Sequence, residues 1–294
     1  MFCATEGRCR FPTEGRAPVP RFPTKHAVSD GLRIAYSDAG AGPAIVFLHG
    51  VGSLREVWDD QLRALSDRFR CIAVEYRGYG ESDVPPLKSL ASSCLDRRSI
   101  SRAAFARDAF AVMDAAGVNR AHFCGLSLGG VVAFEAFARQ PARVASLALA
   151  DSFAHYPRGV QTMRERLSVL RELGMERFAA ARAAGILRPS APRRLIERSR
   201  AHMESIPLSV YLAATRATWT GDYRPLLPKI AVPVIVLWGE HDHTVTPRGL
   251  SQEISAGAPD CRGFVVIENA GHVANVDNPA AFNRALANFL DSIA

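Results

Sequence analysis

The sequence predicts an α/β protein in which a mostly parallel central sheet is flanked by helices and interrupted by one inserted helical segment. Three observations carry that prediction. Six short apolar runs, several of them β-branched, occur at residues 44–48, 71–74, 121–124, 144–150, 234–238 and 264–267. Runs this short and this continuously apolar suit strands buried on both faces, as parallel strands are. Between them lie stretches with apolar residues at helical spacing. Finally, Gly125, Leu126, Ser127, Leu128 and Gly129 stand where one run meets one helical stretch. A glycine two residues to either side of a serine suits a sharp strand-to-helix turn that pushes the hydroxyl outward.

The elements follow in order. Residues 1–25 are rich in Pro, Gly and Arg and repeat themselves: Thr-Glu-Gly-Arg at 5–8 recurs at 13–16, and Arg-Phe-Pro-Thr at 10–13 recurs at 21–24. Such a segment is expected to be flexible. Asp30 and Gly31 then mark a hairpin turn between a short run ending at Ser29 and the alternating stretch 32–36. One helix follows Ser53, with Val57, Trp58, Gln61, Leu62 and Leu65 on its apolar side. Another follows Ser99, with Phe105, Ala109, Val112 and Met113; Ser99 or Ser101 can cap its start and Gly117 can end it. Residues 128–139 form a further helix closed by Pro141, and the last helix runs from Pro279, a first-turn proline, to Ile293. Residues 153–221 lack strand-like runs and are helical in character. They are expected to form an inserted cap, leaving 26–152 and 222–294 as the core.

With 294 residues the chain can build one large core and carry an insertion. Hydrophobic residues make up 48% and charged residues 22%, and no apolar run approaches the ~18 residues of a membrane span. A membrane partner is therefore not expected. The first ten residues contain Glu6, Arg8 and Arg10 and no apolar stretch of signal-peptide length, so a cytoplasmic location is expected. Cysteines at 3, 9, 71, 94, 124 and 261 form no CxxC pair and no cluster with histidine, against a zinc site or a redox motif. Cys71 and Cys124 fall in apolar runs and read as small buried hydrophobes. The net charge of +7 is almost entirely arginine-based and localised: from His155 to Arg224 there are 13 arginines against 6 acids, a surplus equal to the charge of the whole chain. No nucleic-acid partner is expected from it. Most of these arginines read as a solvated helical surface. One or two are expected to face the cleft, where a guanidinium would suit a substrate carboxylate.

A serine hydroxyl is a weak nucleophile at neutral pH, so it needs a base, and the base needs a partner that fixes its tautomer. His272 follows the last apolar run, in Asn269, Ala270, Gly271, His272; Asp242 lies four residues past Trp238, in Gly239, Glu240, His241, Asp242. Asp151, at the end of the run 144–150, is a second position from which the acid could come. His49 and Gly50 follow the first run and precede Val51, Gly52 and Ser53. A glycine-containing bend there can aim the Val51 amide at the serine, and the Leu128 amide at a helix start supplies a second donor for an oxyanion hole. His49 reads as structural within that loop, and with Gly50 and Trp219 it is a candidate to border the substrate. Trp219 either lines the acyl pocket or packs the return from the insertion to the core. His241 and His243 lack the further ligands a metal would need. Neither a metal nor an organic cofactor is called for.

Taken together, Ser127, Asp242, His272 and the loop at 49–53 resemble the α/β-hydrolase fold family, with a helical cap inserted after the sixth strand, over roughly residues 26–294. Glu75, Tyr76, Arg77, Gly78, Tyr79, Gly80, Glu81, Ser82 is similar to the family's frequent pattern Asp, any, Arg, Gly, any, Gly, any, Ser, with Glu75 in place of the usual acid. The resemblance makes that block a shaper of the loop after the fourth strand. Residues 123–130, with His272, Val273, Ala274, Asn275 and Pro279, resemble 3-oxoadipate enol-lactonases and related lactone or ester hydrolases, which often carry Asn-Ser where this chain has His49 and Gly50. The resemblance implies a serine hydrolase that cleaves a small-molecule ester or lactone, carboxylate-bearing if cap arginines face the cleft. Ser127 would attack, His272 would accept the proton and Asp242 would hold the imidazolium. Two alternatives stay open: a carbon-carbon hydrolase of meta-cleavage products, whose members commonly carry Trp where Val273 stands, and a silent ligand-binding receptor of the same fold. Dehalogenases and epoxide hydrolases use an aspartate nucleophile, which Ser127 argues against. A homo-oligomer is left open.

Overall fold

The computed structural model describes residues 22–86 and 99–293. Its strands are β1 Thr24–Ser29, β2 Leu32–Ala39, β3 Ala44–Leu48, β4 Arg70–Val74, β5 Ala121–Leu126, β6 Val144–Ala150, β7 Val234–Gly239 and β8 Cys261–Ile267. They form one eight-stranded sheet in the order β1-β2-β4-β3-β5-β6-β7-β8. β1 pairs with β2, and β2 with β4, antiparallel; every other pair is parallel. The helices are α1 Asp59–Leu65, α2 Arg102–Ala115, α3 Leu128–Arg139, α4 Gly159–Arg182, α5 Arg193–Ser205, α6 Leu208–Trp219, α7 Arg248–Gly257, α8 Ala274–Asp277 and α9 Pro279–Asp291. Among the described residues no helix is long and apolar enough to cross a membrane.

Strand order locates the cleft. From β3 the chain steps outward to β4 through α1, then crosses back to β5 on the other side of β3 and continues to β6 through α3. Right-handed crossovers in opposite directions place α1 and α3 on opposite faces of the sheet. The loops after β3 and β5 therefore diverge at neighbouring strand ends, and a crevice opens between them. β3 and β7 are buried throughout, and β6 at every residue but Ala145, which accounts for their predominantly apolar runs. Trp58, fully buried, lies 5.0 Å from the Phe47 ring and 6.1 Å from Phe282, so it joins the start of α1 to β3 and α9.

Local signals explain most element ends. Asp30 and Gly31 take φ of 51° and 79° at the hairpin, with Ser29 paired to Leu32. Of the two serines that could cap α2, Ser101 does so, its Oγ accepting from the Ala104 amide at 3.2 Å. Asn278 caps α9 ahead of Pro279, and the helix ends at Asp291, two residues before the expected Ile293. β8 begins three residues before the expected start at 264, since as an edge strand it is only half buried and tolerates Arg262 and Gly263 outside the apolar run. Residues 1–21 of the expected flexible segment lie outside the described residues. Thr24 and Lys25, also assigned to that segment, belong instead to β1, where they pair with Ser37 and Tyr36.

Between β6 and β7 the chain forms α4, α5 and α6, with a break in α4 at Gly174 (φ 70°). A single bridge, His155 to Asp222, closes the ends of this excursion.

The Glu75–Ser82 block is a buried scaffold. Ser82 Oγ donates to the Glu75 carbonyl at 2.7 Å and accepts from the Ala35 amide at 2.9 Å, and the Glu75 carboxylate pairs with Arg55. Arg77 and Asp108, with fully buried side chains, are joined at 2.5 Å, and Arg77 also reaches Asp30 at 3.0 Å, tying the loop after β4 to α2 and the first hairpin. Removing one member of such a pair strands the other charge in the interior. Asp108→Ala is expected to lower the unfolding free energy by about 3–5 kcal/mol, read as a shift of the urea midpoint at unchanged slope.

Candidate active site

Ser127 stands between the end of β5 and the start of α3 with φ 54° and ψ −115°, a backbone that L-residues rarely adopt. The turn is held by the Ser127 amide donating to the Ala150 carbonyl (2.9 Å) and by Ser152 Oγ donating to the Ser127 carbonyl (2.8 Å). Both flanking glycines are sterically required. A methyl group at Gly125 would meet the Gly129 carbonyl oxygen at 2.3 Å, and one at Gly129 would meet the Leu48 carbonyl oxygen at 2.0 Å. The tight turn thus depends on helix α3 passing closer to strand β5 at Gly125, and to strand β3 at Gly129, than any side chain permits.

The loops after β7 and β8 bring two more side chains to the same place. Ser127 Oγ lies 2.9 Å from His272 Nε2, and His272 Nδ1 lies 2.7 Å from Asp242 Oδ2. Asp242 Oδ1 accepts from the amides of Thr246 (3.0 Å) and Val245 (3.3 Å), which leaves Oδ2 for the imidazole. Since the carboxylate only accepts, Nδ1 carries the hydrogen and the Ser127 hydroxyl donates to Nε2. Such a line can pass a proton from hydroxyl to imidazole while the carboxylate steadies the resulting charge.

Asp151, the other acid position, does something else. Its Oδ1 accepts from the Gly239 amide at 2.7 Å and its Oδ2 from the Ala274 amide at 3.3 Å, so it ties the end of β7 to the residue after Val273 and does not bond to His272. Burial, and then the negative charge of Asp242, push its carboxyl well above the usual carboxylate range. A further tie comes from Asp277, whose Oδ2 accepts from the amides of Gly271 (2.8 Å) and Arg188 (2.7 Å), so the chain after α4 and the loop before His272 share one carboxylate.

The loop after β3 approaches the serine closely: a methyl group at Gly50 would lie 3.5 Å from Ser127 Cβ. Gly50 and Val51 line the cavity over Ser127. His49 stands behind it, fully buried; it accepts from the Tyr76 amide through Nε2 (3.3 Å) and donates from Nδ1 to the Gly50 carbonyl (2.9 Å). Burial pushes its pKa down to about 4, so the ring is neutral and shapes the loop instead of touching a ligand. Tyr79 donates to the Val51 carbonyl at 3.2 Å, which fixes that peptide plane. Leu128 is the first residue of α3, where helix amides lack intrahelical partners.

Ser127 and His272 are only 5% and 8% exposed, so access runs through the covering helices. The cavity is walled from that side by Arg166, Arg182, Ile186, Met203, Tyr211 and Trp219, and the centre of a water-sized molecule can occupy only about 40 Å³ of it. Trp219 both lines the cavity and packs, with its ring stacked 5.4 Å from Phe153 and edge-on to Tyr156 at 4.4 Å. Wider clefts at β8–α9 and at α2–α6 contain neither Ser127 nor His272. His241 and His243 face elsewhere, His241 toward Glu240 and His243 against Trp238. Sequence reasoning had no signal for Tyr79, Tyr211 or Met203; for Arg166 and Arg182 it had only the arginine excess of the segment.

Residues 43–279 match the profile of the family described as the alpha/beta hydrolase fold. The chain is 27% identical over 260 residues to 3-oxoadipate enol-lactonase 1 of Acinetobacter baylyi, covering 85% of this chain and 90% of that protein. In three dimensions it is similar to a hydrolase from Pseudomonas aeruginosa (TM-score 0.79, 30% identity, 91% of this chain and 98% of that one). It is likewise similar to the enol-lactonase from Burkholderia xenovorans (TM-score 0.80, 25% identity, 91% and 100%). With an eight-stranded, mostly parallel sheet and a family match across most of its length, the chain belongs to the α/β-hydrolase fold family.

Proposed function

We propose that the protein is a serine hydrolase that cleaves a carboxylic ester or lactone of a small molecule through an acyl-enzyme. The observation that carries this reading is the hydrogen-bonded line from Ser127 through His272 to Asp242, at 2.9 and 2.7 Å, opening on an enclosed cavity. Ser127 Oγ attacks the substrate carbonyl as His272 Nε2 takes its proton, and Asp242 holds the imidazolium. The Val51 and Leu128 amides receive the developing oxyanion; loss of one such donor typically costs about 3 kcal/mol of barrier. His272 then returns the proton to the departing alkoxide, and a water molecule deprotonated by His272 releases the acid from Ser127.

In this reading residues 153–221 act as a cap over the core formed by 26–152 and 222–294, and their cavity-facing side chains choose the acyl group. The relatives named as enol-lactonases are consistent with a small ester or lactone as the partner. Trp219, Gly50 and Val51 border it. The chemistry needs no metal or organic cofactor. The test is turnover of ethyl valerate and of a simple six-membered lactone by wild type and by Ser127→Ala. Loss of at least about 10³-fold in the variant is expected; equal rates in the two proteins would contradict the reading.

A further inference from the structure

The first carbonyl of α3 accepts one hydrogen bond more than the helix supplies. Ser127 C=O takes the amides of Gly130 (3.0 Å) and Val131 (3.3 Å), as a carbonyl at a helix start does, and also Ser152 Oγ at 2.8 Å, the shortest of the three. Ser152 is fully buried just after β6, and its own carbonyl accepts from Ser251 Oγ on α7 at 2.8 Å, so the hydroxyl is held from behind. Room for it comes from Gly130. A methyl group there would meet Ser152 Cβ at 2.6 Å and its Oγ closer still. Gly125 and Gly129 are needed for the turn itself, whereas Gly130 gives up helix propensity inside α3 to seat a side chain from another element.

That carbonyl is the far end of the peptide whose N–H belongs to Leu128. A peptide is planar and trans, so its C=O and N–H point in opposite directions and turn together. The torsion that turns this one is ψ of Ser127, which stands at −115° in a backbone that L-residues rarely adopt. Pinning the oxygen therefore fixes the direction of the Leu128 N–H, the donor that the proposed hydrolysis aims at the oxyanion. A third accepted bond also polarises the peptide, which makes its N–H a stronger donor. The facing loop repeats the arrangement: His49 Nδ1 donates at 2.9 Å to the Gly50 carbonyl, the far end of the peptide that carries the Val51 N–H.

We infer that Ser152 is a positioning residue of the oxyanion hole: seated in the space left by Gly130, its hydroxyl holds and polarises the Ser127–Leu128 peptide so that the Leu128 N–H meets the developing oxyanion. The inference rests on the proposed acyl transfer at Ser127. Ser152 touches no reacting atom and borders no substrate, so its effect belongs to the transition state and not to ground-state binding.

The experiment compares wild type with Ser152→Ala on ethyl valerate and on butyl trifluoromethyl ketone, which presents the same acyl chain and is attacked by a serine to give a tetrahedral hemiketal. Ser152→Ala is expected to lower kcat by about tenfold at a KM within about twofold of wild type, a smaller loss than the roughly 10²–10³ that follows removal of a whole donor. In the adduct, carbon NMR of the isotopically labelled carbonyl carbon follows the ionisation of the hemiketal hydroxyl, whose acid dissociation constant should fall by about tenfold. That readout compares two forms of one adduct, so a general loosening of the fold does not move it. Ser152→Cys, with a weaker donor in the same place, should fall between the two proteins and decides the matter if the alanine variant misfolds. Ser146→Ala, which removes a buried hydroxyl bonded to His122 at 2.8 Å near the opposite end of β6, should change neither quantity. An unchanged kcat in the folded Ser152 variants, or a lower kcat with an unmoved hemiketal ionisation, overturns the role of Ser152. A folded wild type that neither turns over the ester nor forms the adduct would instead overturn the reading of Ser127.

Discussion

His272→Ala is expected to lower kcat on ethyl valerate by about 10⁵–10⁶, and the double variant with Ser127→Ala is expected to lose no more than either single one. The reason is that the two side chains form one device. Ser127 Oγ reaches a single base, His272 Nε2 at 2.9 Å, and is otherwise enclosed. Without the imidazole the hydroxyl stays protonated; without the hydroxyl the imidazole has nothing to activate except water misplaced for attack. If the Val51 and Leu128 amides and binding supply the residual rate, as proposed, it should persist at ~10³-fold over water in every combination. Single-turnover rates of the three variants read this directly. Additive losses would mean that serine and histidine act in separate steps.

Asp242→Asn is expected to cost about 10⁴ in kcat with little change in KM. The amide oxygen can keep the Val245 and Thr246 contacts to Oδ1, so the loop survives. Its nitrogen, however, would face His272 Nδ1 and donate to it, which reverses the ring tautomer. Nε2 would then carry the hydrogen and could no longer accept from Ser127. Asp151→Asn is the contrast. Burial, and then the charge of Asp242, push the Asp151 carboxyl well above the usual range, toward the neutral form that an amide resembles in charge. The bond from the Gly239 amide can persist, while the 3.3 Å contact from the Ala274 amide would be weakened. A loss of less than about tenfold in kcat is expected, with about 1–2 kcal/mol of stability. If Asp151→Asn proved the more damaging to kcat, the acid would have been assigned to the wrong strand.

How much of this was legible in the chain varies with the range of the interactions involved. The parallel strands announced themselves because a strand buried on both faces admits almost no polar residue, as in residues 44–48 and 144–150. The edge strand β8 did not show its start, since half of it meets solvent. Gly125 and Gly129 were legible because a methyl group at either would meet a carbonyl oxygen at 2.3 or 2.0 Å, which leaves no alternative to glycine. The proximity of Ser127, Asp242 and His272 was suggested by chain order alone, because loops at the same end of adjacent parallel strands must meet. By contrast, the cavity wall depends on how α4 and α6 lie over the core. Helical periodicity says which residues share a face but not what that face covers, so Arg166, Arg182 and Tyr211 were indistinguishable from their neighbours. Asp151 was misleading for a related reason: its position after β6 marks it as an acid near the site, while its two amide partners, Gly239 and Ala274, are distant in sequence.

The central claim is that Ser127 becomes acylated, and covalent labelling with a fluorophosphonate probe tests it with no knowledge of the substrate. The intact protein should gain one adduct, mapped by peptide mass spectrometry to Ser127, and Ser127→Ala should gain none. A folded wild-type protein that takes up no label, or carries it on another residue, would contradict the account.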